Sequence, residues 1–344
     1  MCLWRGRGRA GHSRRMKLLM LGGTEFVGRS VVEEALARGW EVTVFHRGHS
    51  APPPGAEVRI GDRSVPGGLA ALEEGSWDAV VDTWKGAPAA ARDAARLLSG
   101  RVGRHLYVSS RSVHPFPSTA GLDESGPVVD ASPDDTSADD YARAKRGAEL
   151  AALEAFGDRA VLARAGLVLG PYENIGRLPW WLGRIARGGP VLAPGPRELP
   201  LQYIDARDLA IWALDALHDG IPGGAYNLVS PTGHATMGEL LDACVRVTGA
   251  DAELRWADPD AVTAAGIEPW TELPVWLPPG ELHDTLHRGD VSKALATGLR
   301  CRPVTETVAD TWEWLRSVGG TAPLHPGRPA PGLSPEKEAA FWAQ

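Results

Sequence analysis

The 344-residue chain is long enough for a large buried core and exceeds what one small domain needs. Its formal net charge of −7 argues against a broad nucleic-acid-binding face, which requires concentrated positive charge, although a local basic pocket stays open. The three cysteines, Cys2, Cys244 and Cys301, are too few and scattered for a disulfide framework or zinc knuckle, so the expectation is a reducing cytoplasm.

Residues 1–15 carry Arg5, Arg7, Arg9, Arg14 and Arg15, but no apolar run of export-signal length follows. The expectation is a disordered extension, or a start at Met16. No segment reaches the roughly 20 apolar residues of a membrane span, so no membrane partner is expected.

From Met16 short apolar runs alternate with helical patterns. Strands are predicted at Lys17–Leu21, Glu41–Phe45, Glu57–Ile60, Asp78–Asp82 and His105–Ser109, with helices from Phe26 to Arg38 and from Pro88 to Leu98. That alternation implies right-handed crossovers and a parallel sheet, and near-continuous runs such as Ala79-Val80-Val81 suit strands covered on both faces. Residues 115–137, rich in Pro, Ser, Asp and Gly, read as a surface loop. A long helix follows from about Ala138 to Phe156. Residues 171–200 and 267–282 are rich in Pro, Trp and Gly and read as a smaller, less regular lobe. The fold class is therefore α/β, a doubly wound Rossmann-type sheet over 16–170 and 201–220. The substrate lobe takes 171–200 and 221–317, and 318–344 is a tail of uncertain order.

The run Gly22-Gly23-Thr24-Glu25-Phe26-Val27-Gly28 leaves the first strand and opens the first helix. Gly22 permits a tight turn, Gly28 lets the helix pack close, and the helix N-terminus offers free N–H groups to a pyrophosphate. An enzyme selective for NAD usually ends its second strand with an acid for the ribose 2′-hydroxyl. This strand ends in His46-Arg47, and an arginine fork suits a 2′-phosphate, which tilts the cofactor toward NADP over NAD. Asp62, with Arg63 beside it, is placed to reach the adenine amine. Strand four ends in Asp82-Thr83-Trp84-Lys85. Asp82 and Thr83 are counted to the cofactor site, and Trp84 either narrows the nicotinamide pocket or packs under its loop.

Tyr141 and Lys145 stand four residues apart, on one face of the predicted helix. A free tyrosine has a pKa of about 10, and a nearby cation would lower it toward working pH for proton exchange with a carbonyl oxygen. Ser110, at the carboxyl end of its strand, can donate to that same oxygen, while Ser109 and Ser112 read as caps. His283 and His287 have helical spacing but no completing acid or cysteine, so no metal site is expected.

The glycine loop, Ser109-Ser110-Arg111-Ser112-Val113 and Tyr-x-x-x-Lys occur in the order of the extended short-chain dehydrogenase/reductases, the NAD-dependent epimerase/dehydratase family. Arg164-Ala165-Gly166-Leu167-Val168-Leu169-Gly170-Pro171, Gln202-Tyr203-Ile204-Asp205-Ala206-Arg207-Asp208-Leu209 and Tyr226-Asn227-Leu228 extend the likeness over about residues 16–317. The loop resembles an atypical subgroup with a larger residue at the middle glycine position, here Glu25. The resemblance implies Ser110, Tyr141 and Lys145 as the catalytic set, with Lys145 also holding the nicotinamide ribose. It further implies a homodimer through the Tyr141 helix and a neighbouring one. Sugar dehydratases of the family carry Asp-Glu where Arg111-Ser112 stands, which argues against dehydration. Nucleotide-sugar members often have arginine where Leu201 stands, which weakens a nucleotide-sugar substrate unless Arg177, Arg184 or Arg197 substitutes. The expectation is a reductase or dehydrogenase acting on a carbonyl or alcohol of a small substrate. An epimerase with retained cofactor and a non-catalytic dinucleotide- or RNA-binding relative are the alternatives.

Overall fold

The computed structural model describes residues 15–343, so the extension expected at the N-terminus lies almost wholly outside the described residues. The first half runs β1 (Lys17–Leu21), α1 (Phe26–Ala37), β2 (Glu41–His46), β3 (Glu57–Ile60), β4 (Trp77–Asp82), α2 (Pro88–Leu98), β5 (Val102–Ser110), α3 (Tyr141–Phe156) and β6 (Ala160–Ala165). The second half runs β7 (Leu167–Leu169), α4 (Arg177–Ala186), β8 (Gly189–Pro194), β9 (Pro200–Leu201), β10 (Tyr203–Asp205), α5 (Ala206–Asp219), β11 (Gly224–Leu228), β12 (Ala235–Thr236), α6 (Met237–Thr248) and β13 (Ala252–Ala257). It closes with α7 (Pro259–Ala264), α8 (Glu281–His287), α9 (Ser292–Ala296), α10 (Val304–Ser317) and α11 (Pro335–Trp342).

Seven strands form one sheet in the order β11-β6-β5-β4-β1-β2-β3, and every pairing in it is parallel. Its strands bury both faces because alternate residues meet different helix layers. Leu18 and Met20 pack with Val31 and Val32 of α1 and with Leu209, Ala213 and Trp212 of α5. Leu19 and Leu21 face the other way, onto Ala91, Ala94 and Ala95 of α2 and Ala148 and Ala152 of α3. Alanine on both α2 and α3 lets those helices approach closely. Gly147 is needed there too, since a Cβ would stand 2.5 Å from the Ser132 carbonyl oxygen.

Helix α3 is pinned from within. The fully buried Glu149 carboxylate accepts from Ser109 Oγ (2.7 Å) at the end of β5, and from Arg164 Nε (2.9 Å) and Nη2 (3.0 Å) on β6. It also accepts from Arg146 Nη1 (2.9 Å), one turn earlier on its own helix. Ser109, read from the sequence as a cap, is instead part of this network.

The second core gathers around α4, α6 and α10, with the parallel pair β8–β13 beside it. Residues 171–200 are therefore more regular than the composition suggested, since they hold α4 and β8. Leu178, Trp181, Leu182 and Ile185 form the buried stripe of α4 at i, i+3, i+4, i+7, and Pro179 is tolerated because it lies in the first turn. Residues 224–228, assigned from sequence to the substrate lobe, are the edge strand β11 of the main sheet, paired to β6. The loop at 115–137 is tied between lobes. Ser118 and Thr285 bond each other twice, and Glu124 accepts the Asn227 amide at 2.6 Å. The expected tail is also packed: Leu333 is buried in the second core, and Glu338 of α11 accepts from Arg184 Nε (2.7 Å) and Nη2 (3.1 Å).

Removing one member of a buried charge pair leaves the other uncompensated, at a cost of about 3–5 kcal/mol. Glu149→Ala should therefore lower unfolding stability by about that amount, while the double change Glu149→Met with Arg164→Met recovers part of it. Denaturant unfolding of the ligand-free protein measures both, and a single variant as stable as wild type would remove the pin from this account.

Candidate active site

The carboxyl ends of β1, β2, β4 and β5 open onto one cavity of about 1020 Å³, walled on its far side by the second lobe. That volume matches the upper range of ligand pockets. Gly22 through Gly28, His46, Arg47, Asp62, Arg63, Thr83, Ser110, Tyr141 and Lys145 all line it. Asp82 does not. It accepts from Arg63 Nη1 (2.7 Å) and Nη2 (3.1 Å) in a buried pair that holds its carboxyl below the usual range, despite burial pushing the other way. Asp82 thus stands behind the cavity wall, bonded to Arg63, which lines it. Trp84 packs within its own loop: the indole N–H donates to the Ala87 carbonyl, and Arg63 stacks 4.8 Å from its ring centroid.

The glycine loop fits a pyrophosphate on its own geometry. Gly22 has φ +108, and a Cβ there would stand 2.5 Å from Thr83 Oγ1. A Cβ on Gly28 would meet Gly23 N at 2.8 Å, so the loop and helix touch only because both are glycine. Glu25 occupies the N-cap of α1 yet makes no side-chain cap bond, leaving the first-turn amides to a ligand. Its carboxylate turns outward and accepts from Asn174 Nδ2 at 2.8 Å. The acid in the loop is thereby accommodated by a residue of the second lobe.

At the adenosine end Arg47 is exposed on the cavity wall, with no ion pair among the described residues. His46 Nδ1 accepts from the Gly48 amide, while its Nε2 is buried without a partner. Asp62 holds Ser64 through its amide (2.9 Å) and hydroxyl (2.5 Å), and these bonds keep the carboxyl acidic.

The end of the cavity that holds Ser110, Tyr141 and Lys145 combines β5, α3 and the loop after β4. Asp140 caps α3 by accepting the Arg143 amide at 3.0 Å, which starts the helix at Tyr141. Lys145, one turn on, is 4% exposed and donates to the carbonyls of Trp84 (2.7 Å) and Val108 (2.8 Å). Burial brings its pKa down to about 7. The Tyr141 ring lies on the cavity wall, 47% accessible yet ringed by protein, with Lys145 Nζ 6.0 Å from its centroid. Here the sequence expectation of a lowered phenol pKa is corrected. Burial raises it, and the Ser110 hydroxyl, Arg328 and Arg177 pull the other way. Lys145 is not the lowering cation, because it is already spent on two carbonyls and only partly charged near pH 7. Ser110 Oγ accepts the Ser112 amide at 3.1 Å and donates to Ser112 Oγ at 3.0 Å.

Phe116, Leu122, Val129, Trp270, Leu277 and Leu282 add an apolar stretch to the cavity wall. Leu201 is fully buried in the second core. Of the arginines considered as substitutes, Arg184 is bonded to Glu338 and Arg197 pairs with Asp242, both away from the cavity; Arg177 lines it but is tied to Glu173 Oε1 at 3.0 Å. Arg111 is half-buried and donates to the Leu286 (2.9 Å) and Thr285 (3.2 Å) carbonyls, so it braces α8. His283 and His287 are likewise structural: His283 Nε2 bonds the Pro200 carbonyl and His287 Nδ1 accepts the Gln202 amide. Sequence reading missed Asn174, His325 and Arg328 as cavity residues. They lie in segments whose composition signals only loop.

The sequence model of the NAD-dependent epimerase/dehydratase family matches residues 18–228, more than half of the chain, and the protein belongs to that family. It is an enzyme of the extended short-chain dehydrogenase/reductase class, with the dinucleotide fold of that class. Comparison with curated proteins gives no match. Among solved structures it is similar to Bordetella bronchiseptica WbmH in complex with NAD+, at 20% identity and TM-score 0.64 over 89% of this chain and 100% of that one. It is also similar to WbmG of the same organism with NAD and UDP, at 19% identity and TM-score 0.64 over 92% and 100%. UDP-glucuronic acid 4-epimerase from Bacillus cereus with NAD aligns at 14% identity and TM-score 0.62 over 88% and 99%. Among the described residues no helix is long and apolar enough to cross a membrane.

The lowered Lys145 pKa fixes a sign. Between pH 7 and about 10 the unfolded chain binds a proton that the folded one does not, so this group makes stability rise with pH. From pH 7 to 9, without dinucleotide, wild type should gain melting temperature relative to Lys145→Met. Parallel curves for the two proteins would contradict the shift.

Proposed function

We propose that the protein is an NADP-preferring oxidoreductase that reduces a carbonyl, or oxidises the corresponding alcohol, on a small non-nucleotide substrate in the cytoplasm. The observation that carries this reading is the meeting of Ser110, Tyr141 and Lys145 with the glycine loop in one cavity. A bound nicotinamide dinucleotide would supply or accept the hydride.

The chain's own groups divide the remaining work. A phenol held protonated by burial is a proton donor at neutral pH, so Tyr141 gives its proton to the substrate oxygen in the reducing direction. Ser110 donates a hydrogen bond to that oxygen and positions it. Lys145 braces the ends of β4 and β5 under the tyrosine and, as the family resemblance implies, holds the nicotinamide ribose. The unpaired Arg47, with no acid at the end of β2, supports the 2′-phosphate and hence NADP. The apolar substrate wall and the buried Leu201 support a substrate without a nucleotide diphosphate. A homodimer through α2 and α3 belongs to the same proposal.

A second reading, epimerisation with retained cofactor, is favoured by the epimerase named among the similar structures. Mixing NADPH with a carbonyl panel separates the two, because net NADP⁺ release marks reduction and tight cofactor without turnover marks epimerisation.

Tyr141→Phe should lower kcat by about 10²–10⁴ while leaving the dinucleotide dissociation constant within about twofold. Wild-type turnover in that variant would sink the mechanism. Arg47→Asp should move the NADP-over-NAD preference toward NAD by about tenfold or more, read from the two dissociation constants. An unchanged ratio would assign Arg47 to solvent.

A further inference from the structure

The C-terminal segment 321–334 runs back from the second core across the cavity mouth. At one end Ala322 is buried in that core; at the other are Leu333, Ser334 capping α11, and the Glu338–Arg184 pair. Between these anchors the chain lies against the entrance to α4. A Cβ on Gly176 would stand 2.8 Å from Leu324 Cδ2, and the Gly332 amide donates to the Thr271 carbonyl at 2.7 Å. The His325 amide donates to the Asn174 carbonyl at 2.9 Å, and the Asn174 side chain in turn holds Glu25 of the glycine loop. The segment is thus linked through one residue to the phosphate-binding turn.

His325 and Arg328 from this segment line the cavity. Arg328 is exposed into it, and no carboxylate among the described residues pairs with it, unlike Arg63, Arg177 and Arg184. Its charge is felt by both Lys85 and Tyr141, so it stands between the loop after β4 and the reacting end. Lys85 also faces Glu25 and Arg47. Two cations without a fixed counter-ion therefore stand on the side of the cavity near Glu25, Arg47 and Tyr141. A diphosphate seated on the α1 N-terminus presents its outer oxygens to this side.

We propose that residues 321–334 are a strap across the dinucleotide cleft and that Arg328, with Lys85, clamps the cofactor diphosphate from the side opposite α1. The inference rests on the dinucleotide reading above and adds the strap to it. Its consequence is slow cofactor exchange, because the diphosphate is held from both sides.

The test is direct binding of NADPH and NADP⁺, followed by fluorescence, to wild type, Arg328→Ala and Arg328→Lys. Removing one charged contact at an exposed site should weaken dinucleotide binding about five- to tenfold, mostly through faster dissociation. Arg328→Lys should recover part of that loss, and rising salt should narrow the gap. Melting temperatures should coincide, since the Arg328 side chain is exposed and forms no ion pair among the described residues. Substrate KM at saturating cofactor should move less than about twofold. Equal dissociation constants for Arg328→Ala and wild type overturn the clamp. A change confined to substrate KM also overturns it and gives Arg328 to an anionic group on the substrate. A wild type that binds neither NADPH nor NADH refutes the oxidoreductase reading itself.

Discussion

The buried Glu149 carboxylate is the constraint on which the site depends. Three of its four hydrogen bonds tie α3 to the ends of β5 and β6, where the strands open onto the cavity, and the fourth comes from Arg146 on α3 itself. A helix carrying Tyr141 and Lys145 is useful only if its first turn sits at a fixed height above those ends. Alanine packing against α2 sets how close α3 lies, but apolar contacts slide; a carboxylate bonded to two neighbouring strands does not. Lys145 adds a second tie one turn earlier, through the Trp84 and Val108 carbonyls. The reacting end is thus positioned by two polar anchors on one helix face.

Those anchors shape the electrostatics. Lys145 is desolvated and shares its protons with carbonyls, so it does not act as the point charge that a sequence motif suggests. Positive charge near Tyr141 instead comes from Arg177 and Arg328, both contributed by the second half of the chain. A chain with net charge −7 therefore surrounds its dinucleotide cleft with Arg47, Lys85, Arg177 and Arg328. Overall acidity speaks against nucleic acid as a partner and says nothing about such a pocket.

The parallel sheet was legible because its signals are local. Lys17–Leu21, Glu57–Ile60 and Pro88–Leu98 are read from sequence to the residue, and other boundaries shift by one to three positions. The glycine loop and the Tyr141–Lys145 spacing are local too. What escaped depends on contacts distant in sequence. The ion pair of Asp82 with Arg63, nineteen positions earlier, has no local signal. Glu25 looks misplaced until Asn174 is brought alongside. The proline-rich end looks like a tail because its anchors are ion pairs, backbone hydrogen bonds and single buried side chains such as Leu333, none of which has a periodic signature. Helix α4 was hidden by Pro179 and Gly183, although its apolar spacing is regular.

The motifs that carry the family resemblance beyond the glycine loop and the Ser-Tyr-Lys set are largely scaffold. Arg164 holds Glu149, Asp205 caps α5 and bonds Arg207, Asp208 bonds Arg302, and Asn227 ties β11 to Asp290. Each is a buried or half-buried polar group whose partner is fixed by the fold, so its identity follows from the architecture and not from the substrate. The proposed substrate wall is different: Phe116, Trp270 and Leu277 come from loops and Leu282 from the short helix α8, and none of them is such a buried polar group. The same sheet can therefore be kept while the cavity wall changes. In this chain Leu201 is core, and Arg47, Lys85 and Arg328, none of them in an ion pair among the described residues, share one cavity with the apolar wall, so the proposed division of recognition is by charge for the cofactor and by shape for the substrate.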